Sequence, residues 1–276
     1  VNLRFKTIDD PHISITVILQ HFIIIQREFL FPHKSSKVIT ENGKKYINAH
    51  PYTADLKLWV KTCGINVVPE FDHAMLFTGY KLYTGSIENN VVSGVSPLEG
   101  ICDEVQRVSL IQSGHYSRTV LTATHELGHN LGAKHDGTGD AKDCNPDEKY
   151  IMYHSSIKFN DTTPYSRNAW IFSTCSVESF KKTLITKDCV KVQGLTYDTA
   201  EWMLFMKKEP GDFFTPYVQC FILYGPHYVF YGVLDEYICH QLRCKNVKTK
   251  KIMKKYLYAA EGTSCGRNKW CIEGMC

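Results

Sequence analysis

Apolar and polar positions along the chain follow two periods. Residues 13–26 are almost wholly apolar, broken by Gln20 and His21, and predict a buried first strand. Residues 73–83 and 107–112 read as further strands. Residues 91–98, short and carrying Gly94 and Pro97, suit a sheet edge. Elsewhere the period is that of a helix. Residues 53–62 are predicted helical, with Thr53 as N-cap and Ala54, Leu58 and Trp59 on one face. The strongest helix covers 116–131, with a stripe of Val120, Thr124, Leu127 and Leu131, and a later one covers 176–186, with Val177, Phe180 and Leu184. Strands interleaved with helices predict an α/β (α+β) domain over residues 1–190.

After Cys189 the periodicity decays. Residues 195–276 hold six cysteines and many aromatics, the composition of a small module that needs covalent staples. The boundary is predicted at 190–196, with Trp202, Met203, Phe205 and Met206 as core. All eleven cysteines lie after residue 62, which points to disulfides and an oxidising, extracellular compartment, and the odd count leaves one sulfur without a partner in the chain. Val1 stands where an initiator Met or a signal peptide is expected, so the chain reads as a fragment or a processed product. A net charge of +4 is too small to argue for nucleic acid, and no apolar run reaches the ~20 residues of a membrane span. Asn160-Asp161-Thr162 is a glycosylation sequon. Residues 245–255 contain Lys245, Lys248, Lys250, Lys251, Lys254 and Lys255, a candidate dock for sulfated glycosaminoglycan.

The chemistry concentrates in His125-Glu126-Leu127-Gly128-His129-Asn130-Leu131-Gly132-Ala133-Lys134-His135-Asp136. Residues four apart share a helix face, so His125 and His129 present two imidazoles to one Zn²⁺. Glu126 is rotated about 100° away, beside the metal, where a general base for water activation belongs. Gly132 ends the helix in a left-handed turn that returns His135 as third ligand. Three histidines leave a fourth position open, the mark of a catalytic rather than a structural zinc site. His73 and His154 are expected to be packed or exposed histidines, not ligands.

These residues resemble the metzincin clan, and Asp136 after the third histidine resembles its adamalysin/reprolysin family. Tyr150-Ile151-Met152 is similar to the clan's Met-turn; Phe71–Gly79, Phe172–Ser176 with Phe180, and Glu261–Cys276 resemble further family segments. The layout resembles disintegrin metalloproteases with thrombospondin motifs and tick salivary reprolysin-like metalloproteases. The resemblance implies a metzincin zincin fold with a mixed twisted sheet, preceded in the family by a further strand, and a disintegrin-like/cysteine-rich C-terminal module. It implies pairs Cys102–Cys189 and Cys144–Cys175, with Cys63 unpaired, and raises Ca²⁺ at Asp72. It implies a secreted zinc metalloendopeptidase acting on extracellular proteins of matrix or plasma. The alternative is a weak or inactive relative that binds matrix or cell-surface partners through its C-terminal module. Tyr153 and His154 depart from the family pattern, and the C-terminal module has fewer cysteines than its relatives.

Overall fold

The computed structural model describes residues 1–25, 38–64, 71–88, 90–114, 116–154, 167–191, 208–253 and 258–276. The sequon, Lys254, Lys255 and the apolar residues 202–206 lie outside them. Contacts divide the chain into two units: Val1–Gly114 with Arg118–Ser156 and Ile171–Val192, and His115–Ser117 with Ile157–Trp170 and Gln193–Cys276.

In the first unit, α1 (Asn2–Phe5) buries Phe5 against Phe172 and Phe180, with ring centroids 4.9 and 5.9 Å away. The strand predicted at 13–26 is absent from its described part. Residues 13–25 take no strand pairing; Ile13, Ile15 and Val17 pack on the core, while Leu19, Phe22 and Ile24 are exposed. A continuous apolar run carries no period, so it does not reveal which of its residues find a neighbour.

β1 (Ile39–Glu41) and β2 (Lys44–Asn48) form a hairpin around Asn42-Gly43, both at positive φ, the two-residue turn whose twist matches that of the strands. α2 (Ala49–Trp59) starts four residues before its predicted start. Asn48 caps it by accepting from the His50 amide at 3.2 Å, and Pro51 occupies the first turn, where a missing N–H is harmless. Thr53 is therefore inside the helix, donating to the Ala49 carbonyl. The buried face is Tyr52, Leu56 and Val60, whereas the predicted Ala54 and Leu58 are exposed.

The predicted strand 73–83 bends at Gly79-Tyr80 into β3 (Ala74–Thr78) and β4 (Lys81–Tyr83), which join different sheets. The predicted edge strand 91–98 likewise breaks at Ser93 into β5 (Val91–Val92) and β6 (Gly94–Val95). One sheet runs β1-β2-β4-β5; the other runs β3, then β7 (Val108–Gln112), then β6. β3 and β7 are parallel and β6 antiparallel to β7, with Gly94 opposite Ile111. Val108 to Ile111 are all buried, because both faces of this central strand are covered. α3 (Tyr116–Asn130) and α4 (Thr174–Leu184) pack around Leu127, Leu131, Ile151, Met152, Phe172 and Phe180. Disulfides Cys102–Cys189 and Cys144–Cys175 brace this unit.

The second unit holds α5 (Pro210–Phe213), α6 (Pro216–Tyr224), the antiparallel pair β8 (Tyr228–Phe230) and β9 (Cys244–Asn246), and the pair β10 (Ser264–Gly266) and β11 (Lys269–Trp270). Disulfides Cys220–Cys244, Cys239–Cys271 and Cys265–Cys276 run through it. Its core is largely cystine, with Phe230, Ile238 and Leu242 around the sulfurs. The eleventh cysteine, Cys63, falls in a π-helical turn, Val60–Gly64; its side chain lies outside the description. Among the described residues no helix is long and apolar enough to cross a membrane.

Candidate active site

The site is built on the end of α3. After Asn130 the helix closes with a paired cap: the Ala133 amide donates to Gly128 O and the Gly132 amide to His129 O, both at 2.9 Å. The cap needs the left-handed φ of +103° that Gly132 adopts, and a Cβ there would lie 2.1 Å from Thr183 Oγ1. The turn then carries the chain back so that His135 faces His125 and His129.

Two of the three rings are oriented by a backbone carbonyl. His125 Nδ1 lies 2.7 Å from Ile151 O, and His129 Nδ1 lies 2.8 Å from Ala133 O. A carbonyl can only accept, so both Nδ1 atoms carry the proton and both Nε2 atoms present bare lone pairs. Those two Nε2 atoms each approach His135 Nε2 to 3.1 Å. Burial holds all three imidazoles below the ordinary histidine range, His135 at about 4, which keeps them neutral. A proton on His135 Nε2 could satisfy at most one of the two lone pairs that face it, whereas a divalent cation at the focus would take all three nitrogens. Nitrogens about 2.0–2.1 Å from a tetrahedral Zn²⁺ stand roughly 3.3 Å apart, so the donor set fits that ion.

Glu126 is 5% exposed, and burial pushes its carboxyl up to about 8. The backbone of β6 presses on it: a Cβ at Gly94 would lie 2.6 Å from Glu126 Oε1. Met152 is fully buried under α3 beside Gly128, where a Cβ would meet its Sδ at 2.7 Å. Asp136 is buried and ties the turn down, its amide donating to Met152 O and its Oδ1 accepting from Ser173 Oγ at 2.6 Å. Ser173 also caps α4 through the Ser176 amide. His154 is exposed, with its ring centroid 4.9 Å from that of His135. His73 is partly buried and bridges Asn130 Oδ1 and Ser109 Oγ, each at 2.8 Å. Among the described residues the one cluster of candidate donors that includes Asp72 joins it to the disulfide sulfurs of Cys102 and Cys189. That is no oxygen cage, so calcium is not supported there.

Residues 53–192, just over half the chain, match the reprolysin (M12B) family zinc metalloprotease, and residues 210–276 match ADAMTS cysteine-rich domain 2. The chain belongs to the reprolysin family. Its fold is accordingly that of a metzincin. This reprolysin is 30% identical over 214 residues to "A disintegrin and metalloproteinase with thrombospondin motifs adt-1" of Caenorhabditis elegans, covering 75% of the chain and 13% of that protein. It is 29% identical to the corresponding protein 18 of Mus musculus over 74% of the chain and 16% of that protein. It is 26% identical to protein 19 of Homo sapiens over 100% of the chain and 22% of that protein. The chain therefore spans at most about a fifth of these relatives.

Gly94, Asn130, Ser173 and Ser109 went unnoticed as site residues in the sequence. Gly94 alone carried a signal, since a glycine inside a strand marks a close approach of backbone.

Proposed function

We propose that this reprolysin is a secreted zinc metalloendopeptidase in which His125, His129 and His135 hold the metal and Glu126 is the catalytic base. The reading assigns the catalytic domain to residues 1–190 and a disintegrin-like/cysteine-rich module to residues 195–276. The observation that carries it is the convergence of three neutral imidazoles, two with Nδ1 bound to carbonyls, on one point beside a buried carboxylate.

When bound, zinc supplies Lewis acidity, which lowers the pKa of a water molecule and offsets charge developing on the scissile carbonyl. Glu126 takes a proton from the attacking water and returns it to the leaving amine. Burial raises the carboxyl above the ordinary carboxylate range, which makes its ionised form the stronger base and its protonated form available to the leaving amine. β6 is the terminal strand of its sheet, so an extended peptide can add to it by backbone hydrogen bonds. Gly94 then sets the peptide directly over Glu126.

Extracellular proteins are the substrate class, and five disulfides support an extracellular setting. Sulfated glycosaminoglycan is the second partner. Residues 237–260 contain no Asp or Glu, and Lys248, Lys250 and Lys251 are exposed after β9. The binding-only alternative is weaker, since the ligand set and the base stand together. The deciding experiment compares wild type with Glu126→Ala on a casein-derived peptide. Zinc should stay at one per chain in both, while hydrolysis falls at least ~10³-fold in the variant. A variant that cuts as fast as wild type removes Glu126 from the role; wild type without hydrolysis favours the binding alternative.

A further inference from the structure

Asn130, wholly buried, follows the ligand His129 and is the last residue of α3. Its Nδ2 donates to Pro97 O at 3.1 Å and to Gln106 O at 2.9 Å. Pro97 and Gln106 sit near the two ends of the loop that leads from β6 to β7. The same loop is fastened by the Glu99 amide to His129 O and by the Ile101 amide to Asn130 O. It closes so tightly around the side chain that a Cβ on Gly100 would lie 2.3 Å from Gln106 O and 2.6 Å from Asn130 Nδ2. Asn130 is thus the peg on which the β6–β7 loop is wound.

The peg has to face the right way. Both Nδ2 hydrogens are taken by carbonyls, so the atom towards His73 is Oδ1, an acceptor. His73 Nδ1 therefore carries the proton, and its Nε2 accepts from Ser109 Oγ on β7. Either amide rotamer of Asn130 is acceptable in size. Only one is consistent with a donor at His73, because the other would turn NH₂ towards N–H and an oxygen towards two carbonyls. His73 lies immediately before β3, so the chain Ser109–His73–Asn130 joins two sheet strands to the end of the ligand helix.

We propose that His73 is a positioning residue for peptide cleavage: by orienting the Asn130 amide it holds the substrate-receiving strand β6 at a fixed height over Glu126 and the imidazole cluster. This rests on the peptidase reading above and adds a residue to it that touches neither metal nor substrate. Without His73 the Asn130 amide loses the partner of its Oδ1, and the two backbone bonds from Glu99 and Ile101 are left to hold the loop after β6 on α3. β6 keeps its pairing to β7, but its placement over Glu126 is no longer set.

The test uses the full zinc-loaded chain as wild type, His73→Leu, His73→Gln and Ser109→Ala. Gln offers one donor and one acceptor, so it should rescue. Leu offers neither, and the Ser109 variant removes only the outer bond. With a casein-derived peptide long enough to lie along β6, His73→Leu should raise KM at least tenfold, Ser109→Ala a few-fold, and His73→Gln less than His73→Leu. A merely structural role would lower the active fraction, and so apparent kcat, with KM unmoved. Amide exchange supplies a readout that needs no activity. Residues 94–101 should exchange at least tenfold faster in His73→Leu, with the middle of α3 unchanged. KM and exchange both unmoved in His73→Leu overturn the proposal. If that variant does not fold, wild-type values in Ser109→Ala overturn it equally. Absence of hydrolysis by wild type refutes the peptidase reading alone, and the exchange result still decides whether the clamp exists.

Discussion

At the scale of single residues the site depends on close contacts as well as on the ligands. Gly94 is the clearest case. An alanine there places a methyl group within 2.6–2.8 Å of the Glu126 carboxylate and must push it away or lift β6. A misplacement near 1 Å is enough to lose about 10²-fold in rate. Gly94→Ala should therefore keep zinc and its thermal midpoint within a few degrees while kcat/KM falls about 100-fold; zinc analysis beside kinetics checks this. His73 gives a second prediction at this scale. Burial lowers it from the ordinary 6.5 to about 4, so between those values the unfolded chain binds a proton that the native chain does not. Stability must then rise with pH through this window, and on acidification be lost from pH 6.5 down to about 4. At about 1.4 kcal/mol per unit the contribution is roughly 3 kcal/mol. Urea midpoints of zinc-loaded wild type and His73→Gln, taken at pH 4.5, 5.5 and 6.5, should show the steeper loss in wild type. Parallel curves would mean that His73 titrates normally.

At the scale of elements, legibility in the sequence followed the strength of each local signal. α3 was readable because its stripe, its ligand spacing and its terminal glycine agree, and the structure ends it at Asn130, one residue before the predicted end. α2 was misread because Thr53 resembles a cap as well as Asn48 does, and only the packing of Tyr52, Leu56 and Val60 decides between them. The Asn42-Gly43 hairpin was missed, although Asn-Gly between short strand-forming runs is a strong turn signal. The clamp around Asn130 was invisible, since its partners come from two stretches distant from it in sequence, His73 and residues 97–109. The spacing of His125, His129 and His135 was legible, but the carbonyls that turn the first two rings come from Ile151 and Ala133. Gly132→Ala tests the cap of α3: both its φ and the contact with Thr183 Oγ1 forbid a methyl, so a loss above about 1 kcal/mol is expected in denaturant midpoint. The hairpin end after β9 is tested separately. Asn246 Oδ1 accepts from the Lys248 and Thr249 amides and Lys250 takes a positive φ, so the lysines stand on a shaped turn. Replacing Lys248, Lys250 and Lys251 by Ala should shift heparin elution to lower salt, whereas Lys44 and Lys45 replaced together should not; equal elution of both triple and double variants removes the glycosaminoglycan reading.

At the scale of the whole molecule the two units are stabilised by different means, and reduction should separate them. The first unit's main core is made by Phe5, Leu127, Leu131, Ile151, Met152, Phe172 and Phe180, all carbon-rich side chains apart from the one thioether, with Cys102 at its margin. In the second unit, five of the nine buried core residues are half-cystines: Cys220, Cys239, Cys244, Cys265 and Cys271. Cutting those bonds there removes core contacts and also releases the chain-entropy restraint, worth about 2–4 kcal/mol for each disulfide. A module of this size has little apolar burial to offset that loss. In the first unit the same reductant leaves the packed core in place, and zinc adds binding free energy to the native state that grows with metal concentration. Treatment of the zinc-loaded chain with a thiol that does not strip the metal should therefore abolish amide protection in residues 208–276 while β7 and α3 remain protected. Adding a chelator afterwards should lower the midpoint of the first unit alone. Loss of protection in β7 at the same thiol concentration as in residues 208–276 would show that the units unfold together, and that the metal centre draws its stability from the cystine-rich part.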